Sequence, residues 1–269
     1  MITNAITAPV TTAADPNPGN LARDTVTLAK RSLLKLRHNP GALVDVVMLP
    51  ITFMLMFAYL FGGSVSGSVE AYMPTIVPGI VAFALLMAMS NTGTQLREDI
   101  ETGVFDRFKS LPIAPLSPLA GMLTADAVRY VVASACTVAV GLLMGWRPAA
   151  GLGWVAAATL LVIFVMWCIS WVFALLGVVA RSSATISALS TLITMVLGFV
   201  SNAIVDIDSL PEALRVVAEH NPISYLVNAY RAMVETGVFG IEAACAVAVS
   251  CVVLAVFVPA TVIAYERKL

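Results

Sequence analysis

Seven charged side chains and two phenylalanines lie together in a short connection between apolar segments, residues 97–119. Four acids and three bases there surround apolar residues whose spacing forms one face of a short helix: Ile100, Val104, Phe105, Phe108 and Leu111. Prolines at 112, 115 and 118 then end this helix. Charged and apolar residues in this arrangement are suited to binding another protein surface. The two phenylalanines either pack on the protein's own apolar segments or anchor a protein partner in a pocket.

The residues that catalysis would need are scarce. His38 and His220 have no carboxylate and nucleophile at a familiar spacing, and the four cysteines lie inside apolar runs without a CxxC pair. The sequence contains no GxxxxGK[ST] loop, so we expect no ATP binding by this chain itself. We therefore predict a protein that is not an enzyme and holds no metal or cofactor of its own.

The composition indicates the medium that surrounds these residues. Apolar side chains make up 59% of the chain and charged ones 12%, whereas soluble domains have about 45–50% and about 25%. Too little polar surface remains to cover a folded chain in water, but a bilayer requires none. The apolar runs are solid rather than alternating, which favours helices over a β-barrel. The net charge of −1 offers no basic field for nucleic acid.

Uncharged stretches divide the chain into six predicted spans, because a spanning helix needs about 20 apolar residues. The spans lie near residues 43–62, 75–96, 120–145, 154–180, 183–205 and 242–265. Twelve Lys and Arg residues fall on the N-terminal side of the membrane and three on the opposite side, which predicts cytoplasmic N and C termini. The expected fold is an all-α polytopic protein of the cell membrane.

Ionisable residues within the apolar part of the chain bear on ion coupling. Asp45, Asp126 and Arg129 lie near the ends of predicted spans, and the remaining apolar stretches carry no charge. Carriers that are driven by protons or sodium usually keep such groups near the middle of the membrane. An ion-coupled secondary carrier is therefore the alternative to the function considered below.

The N-terminal 38 residues form two different segments. Residues 1–20, rich in Thr, Ala, Asn and Pro, are predicted to be a flexible cytoplasmic tail. Residues 21–38 are predicted to form a basic amphipathic helix, which typically lies in the headgroup plane. It serves either as an anchor or as a docking lever for another subunit. Its expected apolar face consists of Ala22, Val26, Ala29, Leu33 and Leu36.

The external connection 206–241 is predicted to hold two helices that are too short to cross a bilayer. The second begins after Asn221-Pro222 and ends at Gly237 and Gly240. One face is expected to carry Tyr225, Leu226, Ala229, Tyr230 and Met233, and the other Asn228, Arg231 and Glu235. We interpret both helices as interfacial or re-entrant segments that cap the outer mouth.

The stretch from Glu98 to Pro112, Glu-Asp-x-Glu-Thr-Gly-x-x-Asp-Arg-Phe-x-Ser-Leu-Pro, resembles the ABC-2 type permeases, in particular the DrrB-like daunorubicin-resistance branch. The external Asn221-Pro-Ile-Ser-Tyr225, followed by Ala229-Tyr-Arg231-Ala, is similar to the segment before the last span of that family. Two positions depart from the pattern, because Ala114 and Gly121 stand where many relatives have a basic residue.

The resemblance implies the permease subunit of an ATP-binding-cassette exporter of amphiphilic drugs or lipids, with a transmembrane domain over residues 39–269. Separate cytoplasmic ATPase subunits would hold ATP and Mg. Two halves, identical or paralogous, would pair in the lipid through spans one and five. Segment 98–111 would be the coupling helix and helix 21–38 the connecting helix. The ATPase-coupling residues that the resemblance implies are Glu98, Glu101, Gly103, Phe105, Asp106, Arg107 and Phe108.

Overall fold

The computed structural model describes residues 21–38, 40–104, 113–114, 116–204 and 212–267. Within these residues the chain is all helical, as predicted, and has nine helices. They are α1 (Leu21–His38), α2 (Pro40–Ser66), α3 (Val69–Glu101), α4 (Ser117–Leu143), α5 (Leu152–Val179), α6 (Ser183–Phe199), α7 (Glu212–Glu219), α8 (Pro222–Thr236) and α9 (Ile241–Glu266). The predicted tail, residues 1–20, lies outside the described residues.

Five of the described helices are long and apolar enough to cross a membrane: α2 from Val47 onward, α3, α4, α5 and α9. Each falls on one of the predicted spans. The remaining predicted span, 183–205, contains α6, which has only 17 residues and is about 25 Å long. A hydrocarbon core of about 30 Å is somewhat thicker than this, so a sixth span stays a prediction.

Helix α3 lies at the centre of the bundle and packs against α2, α4, α5, α6 and α8. Every residue from Ile76 to Leu86 is buried, because this helix is apolar on all sides and has protein around it. Helix α9 packs chiefly on α5, and only four of its 26 residues are buried. Exposed apolar side chains on a helix of this length are typical of contact with lipid.

Helices α3 and α5 cross in backbone contact. A Cβ atom on Gly93 would lie 2.4 Å from the carbonyl oxygen of Phe173, and one on Gly177 would lie 2.3 Å from that of Gly93. Only glycine leaves room for two helices at this distance, as in other small-residue crossings within membranes. The two helices are therefore held together near one end of the bundle.

Helix α3 extends past its predicted span. It continues from residue 96 through Glu101 and ends at Thr102, after which Gly103 adopts a left-handed conformation with φ +68°. The prediction of a separate short helix over residues 98–111 is therefore wrong at its start, because the residues up to Glu101 belong to the last turn of α3. The hydropathy of the sequence does not predict this extension of α3, because it falls at residue 97 although the helical backbone hydrogen bonding continues.

Helix α1 occupies the residues for which an amphipathic helix is predicted, and it packs on α4. Its contact face coincides only in part with the predicted apolar face, since Ala29 is buried but Val26 is 51% exposed. The reason is Gly121 of α4, where an added Cβ would lie 2.7 Å from the Cβ of Leu28 and 3.2 Å from the carbonyl oxygen of Thr25. Because Gly121 has no side chain, α1 can pack closely against α4 at this position.

Candidate functional site

One end of the bundle brings together the last turn of α3, the start of α4 and the turn between α5 and α6. In the last turn of α3, the Arg97 Nε donates to the Glu101 Oε1 across 3.1 Å. The pair has the i,i+4 spacing that helices favour. Of the predicted coupling residues, Glu98 and Glu101 thus lie on α3, with the side chain of Glu98 exposed.

The same pair binds the turn between α5 and α6. The Arg97 Nη2 donates to the carbonyl oxygen of Arg181 across 3.0 Å, and the backbone N–H of Ser183 donates to the Glu101 Oε1, also across 3.0 Å. The first N–H groups of a helix have no partner within it, so the carboxylate satisfies one of these groups in α6. We call these four residues, Arg97, Glu101, Arg181 and Ser183, the α3–α6 clasp.

Helix α1 reaches the same end of the bundle. The Asp24 Oδ2 accepts from the backbone N–H of Ala114, across 3.2 Å, just before α4 begins. Ala114 is one of the two positions at which the sequence departs from the family pattern. At both of them, Ala114 and Gly121, the chain makes contact with α1 instead of presenting a basic side chain.

A buried ion pair lies deeper in the bundle, between α3 and α4. The Arg129 Nη1 donates to the Asp126 Oδ1 across 3.0 Å and to the Gln95 Oε1 across 3.1 Å, while the Thr92 hydroxyl donates to the Asp126 Oδ2 across 2.8 Å. The side chain of Asp126 is 1% exposed and that of Arg129 14%. Asp126 is nine residues from the start of α4, which corresponds to about 13 Å along its axis.

A cavity of about 300 Å³ lies among α2, α3, α4 and α6. Most of its lining is apolar, and the polar groups come from Ser90 and Asn91 of α3 and Thr191 of α6. The apolar lining residues are Leu49, Pro50, Ala84, Met87, Ala88 and Ala133. Apolar walls with a small number of polar groups are typical of sites for small amphiphilic molecules. This cavity could not be predicted from the sequence, because its lining comes from four helices that are distant along the chain.

Helix α8 closes the opposite end of the bundle. Asn221 caps its N terminus by accepting from the N–H of Ile223, and Gly237 ends it with a φ of +67°. Both boundaries agree with the prediction. The Ala150 N–H, which precedes α5, donates to the carbonyl oxygen of Val234 in α8 across 3.0 Å.

The predicted faces of α8 are partly wrong. Tyr225 is 50% exposed, whereas Arg231 points inward, and its Nη2 donates to the carbonyl oxygens of Thr75 and Asn202, both across 2.8 Å. Tyr230, by contrast, is buried, and its hydroxyl lies 3.0 Å from the Thr159 Oγ1. Carbonyl oxygens of α3 and of the segment after α6 thus bind a guanidinium that the apolar pattern of α8 alone would assign to water.

The predicted coupling residues are thus only partly placed. Glu98, Glu101 and Gly103 lie at the end of α3, while Phe105, Asp106, Arg107 and Phe108 fall outside the described residues. The prediction missed the other three members of the α3–α6 clasp. The i,i+4 spacing of Arg97 and Glu101 is the signal that could have found one of them.

Comparison with known proteins gives a consistent set of matches. The profile of the ABC-2 type transporter family matches residues 23–234. The daunorubicin resistance ABC transporter permease protein DrrB1 of Streptomyces coeruleorubidus is 38% identical over 91% of this chain and 86% of its own. The doxorubicin resistance ABC transporter permease protein DrrB of Mycobacterium tuberculosis is 29% identical over 53% of this chain and 52% of its own.

Proposed function

The chain belongs to the ABC-2 type transporter family, and on that premise we propose that it is the permease subunit of an ATP-binding-cassette exporter. Its cargo would be amphiphilic drugs or lipids of the plasma membrane. The observation that carries the proposal is the 38% identity, over nearly the whole chain, to a protein named as a daunorubicin resistance permease. The mainly apolar cavity among α2, α3, α4 and α6 supports it, because such a lining suits an amphiphile.

The proposed topology has six spans and places both termini in the cytoplasm. Helix α6 would be the sixth span, and local thinning of the bilayer would accommodate its 17 residues. The end of the bundle that carries Arg97 and Arg181 would then face the cytoplasm, in agreement with the excess of basic residues there. Helix α1 would lie in the inner headgroup region.

A second permease subunit, identical or paralogous, would pair with this one through α2 and α6. Both helices expose large apolar side chains along a face that no described helix covers: Met48, Leu55, Met56, Tyr59 and Leu60 on α2, and Leu189, Leu192, Met195, Val196 and Phe199 on α6. The cavity lies between the same two helices. Pairing would therefore place the cavity beside the interface, on the path that a substrate takes between the two halves.

Energy would come from separate cytoplasmic ATPase subunits, which hold the ATP and Mg. We propose that Glu98, Gly103, Phe105, Asp106, Arg107 and Phe108 contact that ATPase. Closure of the ATPase around ATP would draw the two coupling segments together, rock the permease halves and open the cavity outward. The chain itself would hydrolyse no ATP, since it has no phosphate-binding loop of its own.

The double substitution Phe105→Ala/Phe108→Ala tests the docking of the ATPase. Each aromatic anchor could contribute about 2 kcal/mol to a protein interface, so we expect the co-expressed ATPase to be lost from the purified complex while membrane insertion is normal. Phe239→Ala is the matched control, because Phe239 is exposed just after α8, at the opposite end of the bundle. Unchanged copurification of the ATPase with the double variant would contradict the assignment. Robust ATP hydrolysis by the isolated chain would contradict the proposed function itself.

An ion-coupled carrier is the second candidate function, and the observation that favours it is the buried Asp126. Ionisable residues within the membrane often belong to ion pathways. In this chain, however, Asp126 already has Arg129 and Thr92 as partners. Transport that survives depletion of ATP but stops when the ion gradient collapses would favour the carrier over the exporter.

A further inference from the structure

We infer that Glu101 is a positioning residue that transmits movement of the cytoplasmic connection 97–119 to α6, and that it does not dock the ATPase. This inference rests on the proposed function, in which that connection is where the ATPase acts. Glu98 and Glu101 both have exposed side chains on the same turn of α3, and the inference rests on the hydrogen bonds that hold the Glu101 carboxylate to α6.

The bonds of the carboxylate carry the argument. A single oxygen, the Glu101 Oε1, accepts from the Arg97 Nε of its own helix and from the backbone N–H of Ser183 at the start of α6. A negative charge at this position also interacts favourably with the N-terminal end of the α6 dipole. The carboxylate is about a third exposed, but these two donors fix its orientation toward the start of α6.

The surroundings of the clasp indicate that α3 and α5 move as one unit. Gly93 and Gly177 place the two backbones in contact, and Arg97 binds the carbonyl oxygen of Arg181 just beyond the end of α5. Packed backbones without space between them shift together rather than deform. A displacement of the last turn of α3 is therefore transmitted to α5. Glu101 is the residue that transmits it to α6.

Helix α6 is placed to convert this displacement into a change at the cavity. Its inner stripe of Ile186, Ser190, Thr194 and Gly198 is buried, and Gly198 meets the ring of Phe83 on α3. Thr191 of the same helix lines the cavity. A shift at Ser183 thus moves a wall of the cavity and the exposed face that we propose for subunit pairing.

A spin label on α6 tests the inference without knowledge of the substrate. In a chain whose four cysteines are replaced by Ala, a nitroxide at Ser187→Cys takes the place of an exposed side chain of α6 that is not among those proposed for subunit pairing. The complex with its ATPase is compared with and without Mg-ATP and vanadate, by the EPR line shape. We expect a nucleotide-dependent change that Glu101→Ala reduces about threefold or more, while the bound ATPase is retained.

Two further variants distinguish a positioning role from a general loss of charge. Glu101→Gln keeps an oxygen that can accept from Ser183, so the line-shape response should largely return. Glu219→Ala breaks another i,i+4 Arg–Glu pair, Arg215–Glu219 on α7, which is exposed and on the external helices. This control should leave the response unchanged.

Each alternative outcome has a definite meaning. An equal response in Glu101→Ala, with the ATPase bound, overturns the positioning role and leaves the proposed function intact. Loss of the ATPase from Glu101→Ala makes Glu101 a docking residue and likewise overturns the inference. Absence of any nucleotide response in the parent complex overturns the proposed function, and the inference with it.

Discussion

The pair formed by Asp126 and Arg129 shows how a charge is kept inside an apolar bundle. Desolvation of two charges is costly, and their mutual attraction offsets this cost only when the remaining polar atoms also find partners. Here Thr92 of α3 donates to the carboxylate and Gln95 of α3 accepts from the guanidinium, while the buried Arg129 Nε has no hydrogen-bond partner among the described residues. The network therefore fastens α4 to α3, and its members should behave as a unit.

The substitution Asp126→Ala should destabilise the folded protein by about 3 kcal/mol or more, because it leaves the largely buried Arg129 without its carboxylate. The neutral double variant Asp126→Asn/Arg129→Gln should recover most of that loss. Glu219→Ala, which breaks an exposed pair, should cost less than about 1 kcal/mol. Thermal midpoints of the detergent-solubilised variants measure all three effects. A double variant as unstable as Asp126→Ala would show that the pair is not the cause.

At the scale of elements, glycine determines how closely the backbones of two helices approach. The crossing of α3 and α5 at Gly93 and Gly177 leaves no space for a methyl group. Long apolar helices can pack without glycines at the contact, since many side chains can be accommodated between them. The glycines set how close the backbones come, and the α3–α6 clasp lies one turn beyond Gly93.

Gly93→Ala should therefore destabilise the bundle by about 1–3 kcal/mol, the usual cost of overpacking. An alanine Cβ would meet the carbonyl oxygen of Phe173 at 2.4 Å, and backbone atoms cannot rotate away. Gly63→Ala on α2 is the matched control, because its added Cβ meets nothing within 4 Å. The midpoint of thermal aggregation, followed by size-exclusion chromatography of the heated samples, reports both. Equal midpoints for the two variants would contradict the tight crossing.

The existence of the long helices could be predicted from the sequence, but their ends and contact faces could not. Uncharged runs located α2, α3, α4, α5 and α9, because membrane helices need continuous apolar stretches. The face of α1 and the inward Arg231 of α8 depend on partners from distant segments, Gly121 and the carbonyl oxygens of Thr75 and Asn202. No periodicity within one helix contains that information. The cavity and the α3–α6 clasp escaped prediction for the same reason.

At the scale of the whole molecule, the bundle has two ends of different character. One end joins α3, α5 and α6 through backbone-directed bonds of Arg97 and Glu101. The other is closed by α8, whose Arg231 and Asn221 bind carbonyl oxygens of α3 and of the segments around α6. In the proposed cycle, the first end receives the movement of the ATPase and the second end opens to release the substrate. These two proposed roles require that the two ends face opposite sides of the membrane.

Cysteine labelling tests which end faces the cytoplasm. In the cysteine-free chain, we expect an impermeant maleimide to label Gly240→Cys in intact cells, because residue 240 precedes α9 on the side that we propose to be external and an added Cβ there meets nothing within 4 Å. Lys109→Cys should react only in inverted vesicles, since the excess of basic residues predicts a cytoplasmic location for its connection. Each variant is the control for the other. Labelling of residue 109 from outside would place the coupling segment beyond the reach of a cytoplasmic ATPase, and the proposed mechanism would fail.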